Sequence, residues 1–151
     1  MQISKFIVAA LFSLGAFSET VAQDVPLDPE VHKDAMNNIS AEYAKCAAYF
    51  THVAASSHNA GDEDVSENYG AMSKSALDLA YKFALFDRSE KMAVDVTATR
   101  YEMAIESMTE EIEKDYSNFE LLFQQYGRRC NFVMTDTEAF MQEWMDEASG
   151  D

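Results

Sequence analysis

The chain has 151 residues, a length typical of one domain with its own hydrophobic core. It contains 27 aspartate and glutamate residues against 11 lysine and arginine residues, which gives a formal net charge of −16 at pH 7. So acidic a surface argues against nucleic-acid binding, which needs clusters of basic residues, and against contact with anionic lipid head groups. Basic proteins, metal cations and amines remain as partners that this charge would attract.

The N-terminal residues have the order of a cleavable secretory signal peptide. One basic residue, Lys5, precedes the uncharged apolar run Phe6–Phe17, and Thr20–Ala22 supplies small residues before Gln23. The run is shorter than the roughly 20 residues that a membrane-spanning helix needs. We therefore expect a signal peptide over residues 1–22, no membrane insertion after its cleavage, and a secreted or periplasmic protein with a single helical domain over residues 23–151.

Apolar residues then recur at steps of three and four, the spacing of amphipathic helices. The first stripe predicts a helix that begins near Pro29 and ends near Ser57, and its members are Val31, Ala35, Ile39, Tyr43, Cys46, Phe50 and Val53. The second stripe follows a turn at Asn59–Asp62 and comprises Val65, Tyr69, Met72, Ala76, Leu79, Phe83 and Phe86. The short connection Asp87–Arg88 indicates that the third helix folds back antiparallel to the second.

The third stripe is much longer than an ordinary helix. With Ser89 as its cap, it comprises Val94, Ala98, Tyr101, Ile105, Met108, Ile112, Tyr116, Phe119, Leu122, Phe123, Tyr126 and Cys130. A capping box at Ser117–Glu120 offers a joint near Tyr116, but the stripe keeps its phase there, so we favour one helix over two. A second capping box, Thr135–Glu138, predicts a short terminal helix. The predicted fold is all-α: an antiparallel bundle of three main helices plus a short C-terminal helix.

Cys46 and Cys130 are the only cysteines of the chain. Export would place them in an oxidising compartment, where two thiols usually pair. Each cysteine also lies on the apolar stripe of its own helix, and the Cys-x-x-Cys spacing of a redox-active pair is absent. We therefore predict one structural disulfide that joins the middle of the first helix to the end of the third.

The sequence lacks the motifs of common metal and catalytic sites. Di-iron helical bundles need Glu-x-x-His, and the nearest match, Glu30–His32, has the wrong step. His32, His52 and His58 lack the three- or four-residue spacing of a local zinc site, so we expect all three at the surface. The segment Asp62–Asn68 alternates like a calcium loop but lacks the glycine and the terminal glutamate, which favours an acidic helix N-terminus. We expect no metal and no cofactor.

Glu102, Glu106, Glu110 and Glu113 recur at steps of four and three, so they are predicted to share one face of the third helix, outside its apolar stripe. We call these four residues the glutamate row. Carboxylates on such a face contact water and attract cationic surfaces. We predict that the glutamate row contacts a basic protein partner; the alternative is a solvated surface that keeps the protein soluble.

Several short segments resemble small secreted two-cysteine helical proteins of bacteria and their phages, a group without an assigned function. These segments are Ala41–Tyr49, Arg100–Met103 and Asp115–Asn118, followed by Tyr126, Cys130 and Trp144. The resemblance spans most of residues 23–151. It implies secretion, a disulfide and an all-α fold, and it implies no active site.

Three functions are consistent with these observations. The preferred hypothesis is a non-catalytic binding protein of the cell envelope or secreted space, because the chain is acidic, exported and without a catalytic motif. The second is a carrier that holds a small ligand or metal between helices; the pairs Met103/Met108 and Met141/Met145 would suit Cu(I), although methionine commonly fills cores. The third is an enzyme whose site is assembled across helices and has no local motif.

Overall fold

The computed structural model describes residues 28–150, which contain helices and no strand. The elements are α1 (Pro29–Asn59), α2 (Glu63–Ala84), α3 (Glu90–Glu111), a 3₁₀ turn (Tyr116–Asn118), α4 (Glu120–Leu122), a π segment (Phe123–Gly127), α5 (Arg128–Thr135) and α6 (Thr137–Ser149). The predicted all-α class is confirmed. The predicted signal peptide and its cleavage site lie outside the described residues. No helix within residues 28–150 combines the length and the apolar character that crossing a membrane requires.

Helix α1 is the central element of the structure. It begins as predicted, with Pro29 in the first turn and the Asp28 carboxylate accepting a hydrogen bond from the Glu30 backbone N–H at 2.8 Å. The predicted stripe is buried from Ala35 to Val53. Helices α2, α3, α5 and α6 and the π segment all contact α1. The core of the protein therefore forms around this one helix.

Helix α2 packs on α1 through small residues rather than through its large ones. Ala76, Ala80 and Ala84 are fully buried. The Ser40 hydroxyl of α1 donates to the Ala80 carbonyl of α2 at 2.8 Å, so the two backbones lie close together. Phe83, a larger member of the predicted stripe, is only partly buried and flanks this contact, whereas Phe86 lies beyond the end of α2 and is 60% exposed. Side chains without bulk allow the helices to approach, and the aromatic residues then close the sides of the contact.

Helix α3 presents a different side to the core than the predicted stripe. Val94 is 51% exposed and Ala98 is exposed, whereas Ala93, Thr97 and Met108 are buried. The two patterns differ by one position at the N-terminal end and converge at Met108. The prediction was wrong for the first half of this helix, because it placed Val94 in the core, where Ala93 and Thr97 make the contact.

The expected continuous helix from Ser89 to Cys130 is also wrong. α3 ends at Glu111, and Glu113 and Lys114 then adopt left-handed backbone conformations with φ of 55° and 61°. The Lys114 backbone N–H donates to the Thr109 carbonyl at 2.9 Å, which satisfies one terminal carbonyl of the helix. The apolar pattern keeps its phase across this break because both halves pack against α1, not because the helix continues.

The predicted capping boxes are replaced by nearby aspartates. At the 3₁₀ turn, the Asp115 carboxylate accepts from the Ser117 backbone N–H at 2.9 Å, while α4 begins without a side-chain cap. At α6, Asp136 rather than Thr135 is the cap and accepts from the Ala139 backbone N–H at 3.2 Å. Both aspartates lie within two residues of the predicted cap, so the position of the short terminal helix is nearly as expected.

The predicted disulfide is confirmed. Cys46 in α1 and Cys130 in α5 are bonded, with their Cα atoms 5.2 Å apart, and both residues are buried. Because the long third helix is broken, the bond joins α1 to α5 rather than to α3. It therefore holds the C-terminal part of the chain against the central helix.

Candidate functional site

The outer side of α3 combines exposed methionines with exposed carboxylates. Met92 and Met103 are 55% and 64% exposed, and the half-buried Val96 lies between them on the same face of the helix. Glu106 and Glu110 lie on the adjoining part of this face and are exposed. We call this side of α3, with Glu102 at its edge, the outer face.

The structure brings three of the four predicted glutamates onto one helical face. Glu102, Glu106 and Glu110 succeed one another at four-residue steps along α3, and all three are exposed. Glu113 is exposed too, but it lies beyond the end of α3 in a left-handed conformation, so its predicted place on the helix is wrong. The side chains of the glutamate row make no hydrogen bond and no ion pair with any other residue between 28 and 150.

The N-terminal part of the outer face contains an open recess. This recess has a volume of about 300 Å³ and is lined by Asp95, Val96, Thr99 and Arg100. Asp95 pairs with Lys91 one turn earlier, with Nζ and Oδ2 3.0 Å apart, in an exposed ion pair of little energetic value. None of the residues that line the recess belongs to the buried core.

A polar cluster around Arg100 holds the first half of α3 against α1. The guanidinium of Arg100 donates to Asn37 Oδ1 at 2.6 Å and to Ser40 Oγ at 3.0 Å. Arg88 donates to the same Asn37 oxygen at 2.7 Å and pairs with Asp87. Burial, together with the charge of Arg88, lowers the pKa of Arg100. Arg100 therefore anchors this side of α3 to α1.

A buried histidine of α1 contacts α3, contrary to the sequence prediction. His52 was expected at the surface, but it is buried and lies within hydrogen-bond distance of the Tyr116 hydroxyl (3.2 Å) and the Ile105 carbonyl (3.3 Å). Burial lowers the pKa of His52, which favours the neutral imidazole. The ring therefore links α1 to α3 and to the 3₁₀ turn. Hydropathy could not reveal this role, because the partners of His52 are distant in sequence.

The remaining histidines and the calcium-like segment have local structural partners. His58 pairs with Glu63 at 3.0 Å, and the ring of His32 lies 4.7 Å from that of Phe86. Asp62 caps α2 by accepting from the Val65 backbone N–H at 3.2 Å, as expected for an acidic helix N-terminus. Within the described part of the chain, no group of three or more histidine, cysteine, aspartate and glutamate residues could hold a metal ion.

The methionine pair Met103/Met108 does not form one site. Met108 is buried in the core, whereas Met103 is exposed on the outer face. The outer face thus combines exposed thioether side chains with carboxylates that have no hydrogen-bond or ion-pair partner within residues 28–150. No protein-family model, no curated protein and no solved structure matches this chain.

Proposed function

We propose that this protein is an exported, non-catalytic binding protein that holds a basic, amphipathic protein segment on the outer face of α3. The observation that carries the proposal is the combination on one face of two exposed methionines with three exposed glutamates whose side chains have no partner within residues 28–150. Carboxylates of a net −16 protein speed the encounter with a cationic partner, and exposed apolar area retains it. Neither component alone would distinguish a specific surface from a merely soluble one.

The dimensions of the outer face suit an amphipathic helix. From Met92 to Glu110 the face is about 27 Å long, since each helical residue adds about 1.5 Å. A partner helix of about 18 residues would match this length. Its apolar side would lie on Met92, Val96 and Met103, and its lysines and arginines would lie over the glutamates.

The proposal includes the location and the finer architecture of the protein. The N-terminal sequence supports export, and a buried disulfide is compatible with it. We propose cleavage before Gln23, in the periplasm or secreted space, and an antiparallel bundle in which α1, α2 and α3 are the main helices and α6 is the short one. The short connections over residues 60–62 and 85–89 support this arrangement.

A pair of synthetic peptides tests the proposed binding. One is a helix-forming lysine–leucine peptide with an apolar side, and the other has the same number of lysines with serine in place of leucine. We expect the lysine–leucine peptide to bind and its association rate to fall with added salt, because charges separated by more than about 8 Å are screened at physiological ionic strength. The lysine–serine peptide should dissociate much faster, since it lacks the apolar contact.

Matched triple variants separate the outer face from the overall charge. Glu102→Gln, Glu106→Gln and Glu110→Gln together should slow association about tenfold at low salt. The control replaces three exposed acids on other helices with their amides, namely Glu67, Asp78 and Glu147, whose side chains have no partner in the described part of the chain. If both triple variants slow association equally, only the net charge matters and the proposed site is wrong. Met103→Ser should selectively speed dissociation of the lysine–leucine peptide.

A further inference from the structure

A second surface, to which α3 contributes no residue, differs in charge from the outer face. A groove of about 410 Å³ lies where α1, α2, the π segment and α5 meet, and its apolar lining consists of Tyr49, Phe50, Tyr69, Met72 and Phe123. This volume falls in the range of small-molecule sites. Tyr49 and Phe50 are buried and form the floor, Tyr69 and Met72 are half-buried, and Phe123 is 56% exposed at the opening.

The groove owes its shape to the π segment and to Gly127 at its end. A Cβ atom at Gly127 would lie 3.1 Å from the Tyr49 hydroxyl oxygen and 3.2 Å from the Phe123 ring. A larger residue would therefore require these two side chains to move by a few tenths of an ångström. π-Helical turns are uncommon and are often found at functional sites. Here the turn places Phe123 over open space instead of against the core.

The charge of the groove is the reverse of that of the whole protein. Its lining contains Arg128 and no carboxylate, although the chain has a net charge of −16. Three of the four arginines have partners: Arg88 pairs with Asp87, Arg100 binds an amide and a hydroxyl, and Arg129 pairs with Glu143. Arg128 alone makes no hydrogen bond and no ion pair within residues 28–150.

Neutral hydrogen-bond groups accompany this free guanidinium. The hydroxyl of Tyr49 has no hydrogen-bond partner among the described residues. The phenol is protonated at neutral pH and can donate a hydrogen bond; burial, with a contribution from Tyr69, raises its pKa to about 12. The side-chain amides of Gln124 and Asn131 also line the groove.

We propose that this groove binds a small aromatic carboxylate, with the ring between Phe123 and the Tyr69–Met72 side and the carboxylate on Arg128. A planar ring matches the aromatic walls, where stacking and burial act together. A carboxylate matches the forked donors of a guanidinium. A cationic ligand would place its charge beside Arg128 and find no carboxylate in the lining.

Three ligands with the same indole body test the charge preference. Indole-3-acetate is anionic, indole-3-acetamide is neutral and tryptamine is cationic at neutral pH. Calorimetric titration should show that the acid binds about tenfold more tightly than the amide, with tryptamine the weakest. The NMR signal of the Met72 methyl group should shift on binding, and that of Met103, on the outer face, should not.

Two variants and a matched control locate the interaction. Arg128→Gln should reduce the affinity for indole-3-acetate to that for indole-3-acetamide. Lys82→Gln removes the same charge at an exposed α2 position outside the groove and should leave the preference intact. Phe123→Ala, at an exposed position, should lower the affinity for all three ligands. The proposal is overturned if none of the ligands shows saturable binding, or if tryptamine or the amide binds as tightly as the acid. It is also overturned if Arg128→Gln still binds the acid more tightly than the amide.

Discussion

Reduction of the disulfide measures how far the cross-link stabilises the fold. Cys46 and Cys130 are 84 positions apart in the chain. In the chain-entropy model, closing a loop of this length restricts the unfolded state by about 4.5 kcal/mol at 25 °C. Measured values usually fall between about 2 and 5 kcal/mol, and a whole domain is stable by only about 5–15 kcal/mol. The disulfide is therefore expected to account for a large share of the total free energy of unfolding.

Urea unfolding of the oxidised and reduced wild-type protein isolates this contribution, because both forms keep every side chain. Circular dichroism would report the helices, and fluorescence would report Trp144, the only tryptophan of the chain. We expect reduction to lower the free energy of unfolding by about 2–5 kcal/mol. Replacing both cysteines by serine should cost about 1–3 kcal/mol more, because hydroxyls would lie in an apolar environment without partners.

Two results would refute this reasoning. A loss of less than about 1 kcal/mol on reduction would mean that the reduced unfolded chain is already as restricted as the oxidised one. Rapid alkylation of two thiols in the native protein without reductant would mean that the bond is absent. Protection of both sulfurs under the same conditions, followed by labelling after reduction and unfolding, is the expected result.

Three further predictions concern stability. Burial lowers the pKa of His52, so the unfolded chain binds a proton at this residue more readily than the folded protein does. The free energy of unfolding should therefore fall as the pH drops below about 6.5, and this dependence should be weaker in His52→Gln. Urea titrations of the wild type and of His52→Gln between pH 7 and pH 5 measure this dependence, and identical pH dependences of the two proteins would contradict the prediction. Ala80→Leu should separate α1 from α2 and cost about 1–3 kcal/mol, whereas Ala71→Leu, at an exposed α2 position, should change thermal stability little. The triple glutamine variant of Glu102, Glu106 and Glu110 should melt at the same or a higher temperature, because each like-charge pair at a four-residue step destabilises a helix by about 0.2–0.5 kcal/mol; a clear fall would mean that these carboxylates have structural partners.

The predicted stripes succeed where large side chains make the contact and fail where small ones do. On α1, the large side chains of Ile39, Tyr43 and Phe50 are almost completely buried, so periodicity identifies the correct face. On α2 the closest contact belongs to Ala76 and Ala80, which a search for large apolar residues ranks low. Close packing of two backbones depends on the absence of bulk, and that signal is weak in one sequence.

The helix break and the buried histidine depend on tertiary contacts. The positive φ angles of Glu113 and Lys114 occur at residues that have no special preference for them, so local sequence does not announce the end of α3. His52 is buried because Tyr116 and Ile105 supply partners from elsewhere in the chain. Spacing alone placed Glu102, Glu106 and Glu110 of the glutamate row on one face of α3, since exposed charges need no partner, but it could not show that the helix ends before Glu113. The groove beside Phe123 was missed, because its residues come from four separate segments.

The two proposed surfaces differ in the sign of their charge, and salt therefore distinguishes them. A basic segment approaching Glu106 and Glu110 is attracted by the whole field of the protein, and added salt weakens that attraction. An aromatic carboxylate approaching Arg128 is repelled by the same field, and added salt weakens that repulsion, while its short contact with the guanidinium is screened less. Raising the ionic strength should thus lower the affinity for the lysine–leucine peptide and maintain or raise that for indole-3-acetate. A parallel fall of both affinities would mean that long-range charge does not separate the two surfaces.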